Sequence, residues 1–209
     1  MIAGLADAGF VAGVTTRSMG TMADAANRAK ALELAGLGTL PSYSLKQVHD
    51  NAVHDVAAPA EEGDGWIVRE PGRVALTYHA DCTPIFIWSR DEAAVLHSGW
   101  KGTRANIVAS AVAKFRSKPL AAWVGPRIGV CCYAVGDEFE GYFRGESLER
   151  RAGKLYLDLA AEAAAQLRAA GVCEVSTSPA CTACGGEFFS YRREKSGNRM
   201  MAFLAKRHV

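Results

Sequence analysis

Apolar and polar positions alternate along this chain in a way that predicts short strands interleaved with helices. FVAGVTTR (10–17) is apolar and β-branched enough for a strand, and Thr21 followed by Asp24 predicts a helix start that Gly36 and Gly38 end. SLKQVHDNAVHDV (44–56) mixes polar and apolar residues at roughly period two, as in a strand with one wetter face. DGWIV and RVALTYHADCTPIFIWS flank Pro71-Gly72 and predict a hairpin. EAAVL predicts another short strand, RANIVASAVAKF a helix with Ile107, Val108, Ala111, Val112 and Phe115 on one face, and LAAWVGPRIGV a further strand. A turn with two cysteines and a helix from about Gly136 follow. KLYLDLAAEAAAQLRAAGV is the best helix in the chain, ended by Gly171 at a left-handed cap, and CEVSTS is a strand. The class is α/β or α+β, with mixed central strands and outer helices.

Composition narrows the function classes. The chain has 209 residues with no linker-like break, so a single domain over 1–209 is expected. Lysine plus arginine number 24 against 22 acidic residues, which gives no reason to expect nucleic acid or an anionic membrane as partner. The N-terminus lacks a basic signal-peptide region, and no apolar run approaches the ~18 residues that span a bilayer. A cytoplasmic protein, monomer or homodimer, is expected. Its six cysteines are then expected to be thiols, not structural disulfides.

Candidate chemistry starts from five histidines: His49, His54, His79, His97 and His208. Residues an odd number apart on one strand face opposite ways, so His49 and His54 are not expected to share a face, nor His79 and Cys82. His208 lies near the end of the sequence and is set aside. His49, Cys82 and His97 remain, on or at the end of separate predicted strands. Two imidazoles and a thiolate form a ligand set preferred by zinc, with a fourth position open for water whose pKa the ion would lower to roughly 7. Blue copper uses the same set but adds an axial methionine, and none lies near these positions. The plain alternative is a packed cysteine and half-buried histidines.

Other segments carry weaker signals. SGWKG (98–102) is a glycine-flanked turn into a helix, where free N–H groups with Lys101 or Arg104 would suit an anion; a simple connection is the alternative. Cys131-Cys132 precede a predicted helix, yet no histidine is adjacent to act as base, and a packed thiol pair is expected. Cys181-x-x-Cys184 is half of a zinc ribbon without a second CxxC, and is expected to be structural or redox-neutral.

Together, QVHDNAV, ADCTPIFI, HSGWKGT, GPRIGVCCYAVGDEF and CTACGGEFFSYRREKSGNRMMAF resemble, in order and spacing from about Val14 to Phe203, the YfiH-like family. That family is also called the laccase-domain or multicopper polyphenol oxidase family, the peptidoglycan editing factor family, and a type of purine nucleoside phosphorylase. The resemblance implies an α-β-β-α layered sandwich, with metal on His49, Cys82 and His97. It implies either copper-dependent phenol oxidation or purine nucleoside chemistry: phosphate splitting adenosine, inosine or methylthioadenosine, and water deaminating adenosine. Five histidines are too few for four coppers, which favours the second, with Zn2+ as cofactor and Cu possible.

For phosphorolysis, Arg17, Lys101, Arg104 and Arg192 are the candidate phosphate-binding cations, and for deamination Asp81, Asp64 or Glu138 the candidate proton shuttle. The chain departs from the family pattern in a shortened segment after the first strand without its SLN element, in HSGWKG for HAGWRG, and in His79 where a small polar residue is usual; His79 becomes a further ligand or base if its strand bulges. Competing expectations are a cysteine hydrolase or amidase acting on peptidoglycan precursors through Cys82 or Cys132, and a binding protein that has lost turnover.

Overall fold

The structure is a computed structural model that describes residues 2–143 and 145–208. In chain order the strands are β1 (Phe10–Val14), β2 (Ser42–Ser44), β3 (Val53–Asp55), β4 (Gly65–Val68), β5 (Val74–His79), β6 (Thr83–Trp88), β7 (Ala93–Ser98), β8 (Ala121–Val124), β9 (Ala134–Val135), β10 (Leu148–Arg151), β11 (Lys154–Leu157), β12 (Glu174–Thr177) and β13 (Met200–Lys206). The helices are α1 (Ala3–Asp7), α2 (Ala25–Leu34), α3 (Trp100–Arg104), α4 (Ile107–Val112), α5 (Leu159–Ala169) and α6 (Tyr191–Glu194). One sheet has the order β1-β13-β5-β2, a second β12-β8-β6-β7-β4-β3, and a small third β10-β11-β9.

Strand alternation explains the layers. β6 and β7 are buried at every position, so both faces of their sheet are covered. Phe86, Trp88, Ala93 and Val95 meet Phe10, Ala12, Ala202 and Leu204 of the four-stranded sheet. Ile85, Ile87, Ala94 and Leu96 point the other way, onto Ile107, Val108 and Ala111 of α4 and Ala160, Ala163 and Leu167 of α5. Met201, Phe203 and Ala205 of β13 pack against Ala31 and Leu32 of α2 on the outer face of the four-stranded sheet. The result is helix, sheet, sheet, helix, the expected α-β-β-α sandwich. Burying side chains such as Ile85, Phe86 and Ile87, each fully excluded from solvent, contributes about 1.5–3 kcal/mol apiece. No described helix is long and apolar enough to cross a membrane.

Several sequence expectations are corrected. Segment 44–56 is not one strand: β2 ends at Ser44, β3 begins at Val53, and a loop carries His49 between them. Pro71-Gly72 does not close a hairpin, because β4 pairs with β3 and β7 while β5 pairs with β13 and β2 in the other sheet. The long run 73–89 is two strands in different sheets, broken at Asp81, whose φ is 84°. The helix after SGWKG breaks at Asn106, which is left-handed and caps α4. Asp137–Gly141 is a 3-10 turn, Lys154–Leu157 is a strand, and β13 was not anticipated.

Asp158 caps α5, its carboxylate accepting N–H groups of Ala160 at 2.9 Å and Ala161 at 3.0 Å. Asp158→Ala should cost about 1 kcal/mol, or roughly 2–4 °C in Tm for a domain of this size. A thermal melt identical to that of the parent would refute this capping role.

Candidate metal centre

Three separate elements deliver the expected ligands. Cys82 directly precedes β6, and His97 lies in β7 opposite Pro84. His49 sits in the β2–β3 loop with a left-handed φ of 62°. One carboxylate gathers the backbone around His49. Asp64, fully buried before β4, accepts N–H groups of Val48 at 3.1 Å, His49 at 3.1 Å and Asp50 at 2.9 Å. The same carboxylate lies 2.7 Å from Nδ1 of His97, which leaves the other ring nitrogen for Cys82. Gly99 permits the close approach, since a Cβ there would stand 2.9 Å from Cys82 Sγ and 3.2 Å from the His49 ring. The ligand atoms of His49, Cys82 and His97 lie within 4.8 Å of one another, so this group could hold a metal ion.

The electrostatics favour a thiolate. Burial opposes ionisation of Cys82, but the His97 charge and hydrogen bonds from His49 and His97 outweigh it and bring the thiol down to about 6. Burial likewise opposes the His97 imidazolium, and Cys82 with Asp64 more than offsets it, raising His97 to about 9. Burial also works against the Asp64 carboxylate, yet bonds from His97 and the loop N–H groups hold its pKa below the ordinary value.

His79 does not point away from this centre as strand parity predicted. It is buried with its ring 5.2 Å from that of His97. Its Nε2 lies 2.8 Å from Thr77 Oγ1 and its Nδ1 3.2 Å from the Cys82 carbonyl. Both nitrogens are occupied, so His79 supports the centre from behind. Burial, then the neighbouring His97 charge, lower its pKa well below the ordinary value and keep it neutral.

The ligands open onto a cavity of about 770 Å³, within the range of small-molecule sites. Tyr78, Trp100, Tyr133 and Tyr191 supply aromatic walls, and Arg192, Lys195 and Arg199 supply positive charge. Burial pushes the Tyr133 phenol up to about 12, so it stays protonated. Of the candidate phosphate-binding residues, only Arg192 is here. Arg17 pairs with Glu194 and lies 4.6 Å over the Phe189 ring. Arg104 lies 3.8 Å over Tyr142 and Lys101 5.7 Å over Trp100, and none of these three lines the cavity. Lys195 and Arg199 join the candidate cations here, and the basic run RREKSGNR is their signal in the sequence.

Asp81 lines the cavity, but both its oxygens are engaged. One accepts from Thr182 Oγ1 at 2.6 Å and the other from the Arg192 N–H at 2.6 Å. The carboxylate thereby ties the segment after Cys181 to the Cys/His/His group. Asp64 is committed to the loop and His97, and Glu138 is exposed outside the cavity.

The purine nucleoside phosphorylase of Aquifex aeolicus is 35% identical to this chain over 150 residues, covering 70% of this chain and 72% of that protein. Purine nucleoside phosphorylase YfiH of Escherichia coli is 33% identical over 187 residues, covering 82% and 77%. The crystal structure of YlmD from Geobacillus stearothermophilus superposes with a TM-score of 0.85 at 28% identity, covering 96% of this chain and 93% of that one. Residues 17–207 match the family described as multi-copper polyphenol oxidoreductase laccase, and with these YfiH relatives the match shows that the chain belongs to that laccase-like, YfiH family.

Proposed function

We propose that this chain is a zinc-dependent purine nucleoside enzyme that splits adenosine, inosine or methylthioadenosine with phosphate and deaminates adenosine with water. The observation that carries the reading is one cavity in which a Cys/His/His group, aromatic walls and three cations face the same space. His49, Cys82 and His97 would hold the ion, a fit supported by the donor set and by the Asp64 carboxylate that orients His97. When bound, the ion supplies Lewis-acid polarisation. Tyr78, Trp100, Tyr133 and Tyr191 offer faces and edges for a purine base. Arg192, Lys195 and Arg199 would hold phosphate while its oxygen bonds to ribose C1′ and the glycosidic electron pair leaves on the purine. Asp81 positions Arg192 through its backbone.

Chromatography after incubation with adenosine, with and without phosphate, tests this. Adenine appearing only with phosphate marks phosphorolysis, and inosine without phosphate marks deamination. Adenosine intact in both tubes refutes the reading. Lys195→Met removes an exposed cation from the cavity wall and should raise KM for phosphate about tenfold, the loss of one charge-assisted bond. An unchanged phosphate KM would remove Lys195 from the anion site.

One observation favours a second reading. Without metal, Cys82, His97 and Asp64 form a thiolate, imidazolium and carboxylate chain, the arrangement of a cysteine hydrolase. Such an enzyme would survive chelation and lose activity on alkylation of Cys82; the zinc enzyme would lose activity on chelation and regain it with Zn2+.

A further inference from the structure

We propose that Cys131, Cys132, Cys181 and Cys184 form a second metal site, separate from the His49–Cys82–His97 centre, that takes a zinc ion as a closed tetrathiolate. The fold brings together the two cysteine motifs that looked unrelated in the sequence: the four sulfur atoms lie within 4.8 Å of one another. Cys184 Sγ is 3.3 Å from Cys131 Sγ and 3.3 Å from Cys132 Sγ. A tetrahedral ion with Zn–S bonds of about 2.3 Å needs sulfurs roughly 3.8 Å apart, so little movement would close the site. A pairwise bond has no use for two equidistant partners, whereas a shared ion does.

The surroundings of Cys181 suit a thiolate. The N–H groups of Gly129, Ala183 and Cys184 point at Cys181 Sγ, the Gly129 contact being 3.2 Å. A Cβ on Gly129 would stand 3.2 Å from Cys131 Sγ and 3.4 Å from Cys181 Sγ, so a glycine there lets the two segments meet. Arg127, nearly buried, feels the charges of Cys181 and Cys131 and offsets the net negative charge of a zinc tetrathiolate. Four protein ligands leave no open position, which is the mark of a structural site.

Its position suggests what it braces. Arg127 and Cys181 form an isolated parallel bridge, Thr182 next to Cys181 bonds Asp81, and the Cys132 carbonyl accepts from the Arg192 guanidinium at 3.4 Å. The ion would staple residues 126–135 to the segment that carries Arg192 and Lys195 into the cavity.

The test is metal content under reducing conditions, read by mass spectrometry on protein produced with added zinc. The parent chain should carry about two ions, Cys82→Ala about one, and Cys184→Ser about one. Cobalt substituted into Cys82→Ala should give strong thiolate-to-metal charge-transfer bands and tetrahedral visible bands, absent from Cys82→Ala/Cys184→Ser. Cys82→Ala protein without zinc and with cobalt bands missing would overturn the proposal. So would a parent chain whose Cys131, Cys132, Cys181 and Cys184 all react freely with a thiol reagent in excess zinc, a measurement that needs no variant.

Discussion

Cys82→Ala is expected to empty the Cys/His/His centre and to lower kcat/KM for nucleoside cleavage by at least about a thousandfold. The thiolate is the only anionic ligand of the three, and it stands where His49, His97 and the Gly99 backbone converge. Removing it leaves two imidazoles, a set too small for a stable zinc site. A thousandfold loss corresponds to about 4 kcal/mol of transition-state stabilisation, the order expected when a Lewis acid is withdrawn. The side chain is small and only partly buried, so the fold should persist. Metal analysis and initial rates on the same preparation check the result. A variant that turns over at the parent rate would sever Cys82 from the chemistry.

Asp64→Asn should act twice, on the fold and on the metal. The carboxylate accepts three backbone N–H groups and faces His97 Nδ1 with no exposure to solvent. Asparagine has the same shape, yet one of its ends is a donor, so at least one buried partner loses its acceptor. The cost should be about 3 kcal/mol, a fall in Tm of roughly 6–12 °C. With His97 less firmly oriented, zinc affinity should fall about 10–100-fold, the usual effect of losing a carboxylate behind a metal-bound histidine. The melt and a competitive zinc titration read the two effects separately. If neither moves, Asp64 is not the organiser of this loop.

The three candidate ligands were legible in the sequence through the family motifs that carry them, but the geometry that gathers them was not. Parity assumed that 44–56 and 73–89 were regular strands. The first is shaped by Asp64, a contact 14 to 16 residues away along the chain, and no local pattern reports such a contact. The second is cut by Asp81 in a left-handed conformation, after which the chain enters another sheet and His79 returns to the centre. The mixed α/β class follows from the interspersed strand and helix patterns and the layered sandwich from the family resemblance, while the pairing of β4 with β7 instead of β5 depends on packing between sheets. Arg17 is a candidate from the TTR segment and Lys101 and Arg104 from the glycine turn, yet none of the three lines the cavity. The cysteine cluster joins residues 53 apart, a distance over which spacing rules are silent.

The place of β13 also governs how this molecule can be made. It lies between β1 and β5, with Phe10 opposite Lys206 and Met200 opposite His79. During synthesis β1 therefore waits, its hydrogen-bonding edge bare, until residues 200–206 have left the ribosome. The six-stranded sheet has no such dependence on residues 200–206 for its pairing and can assemble first, with an apolar face open to water. That interval is when a nascent chain of this kind is most exposed to aggregation and most in need of a chaperone.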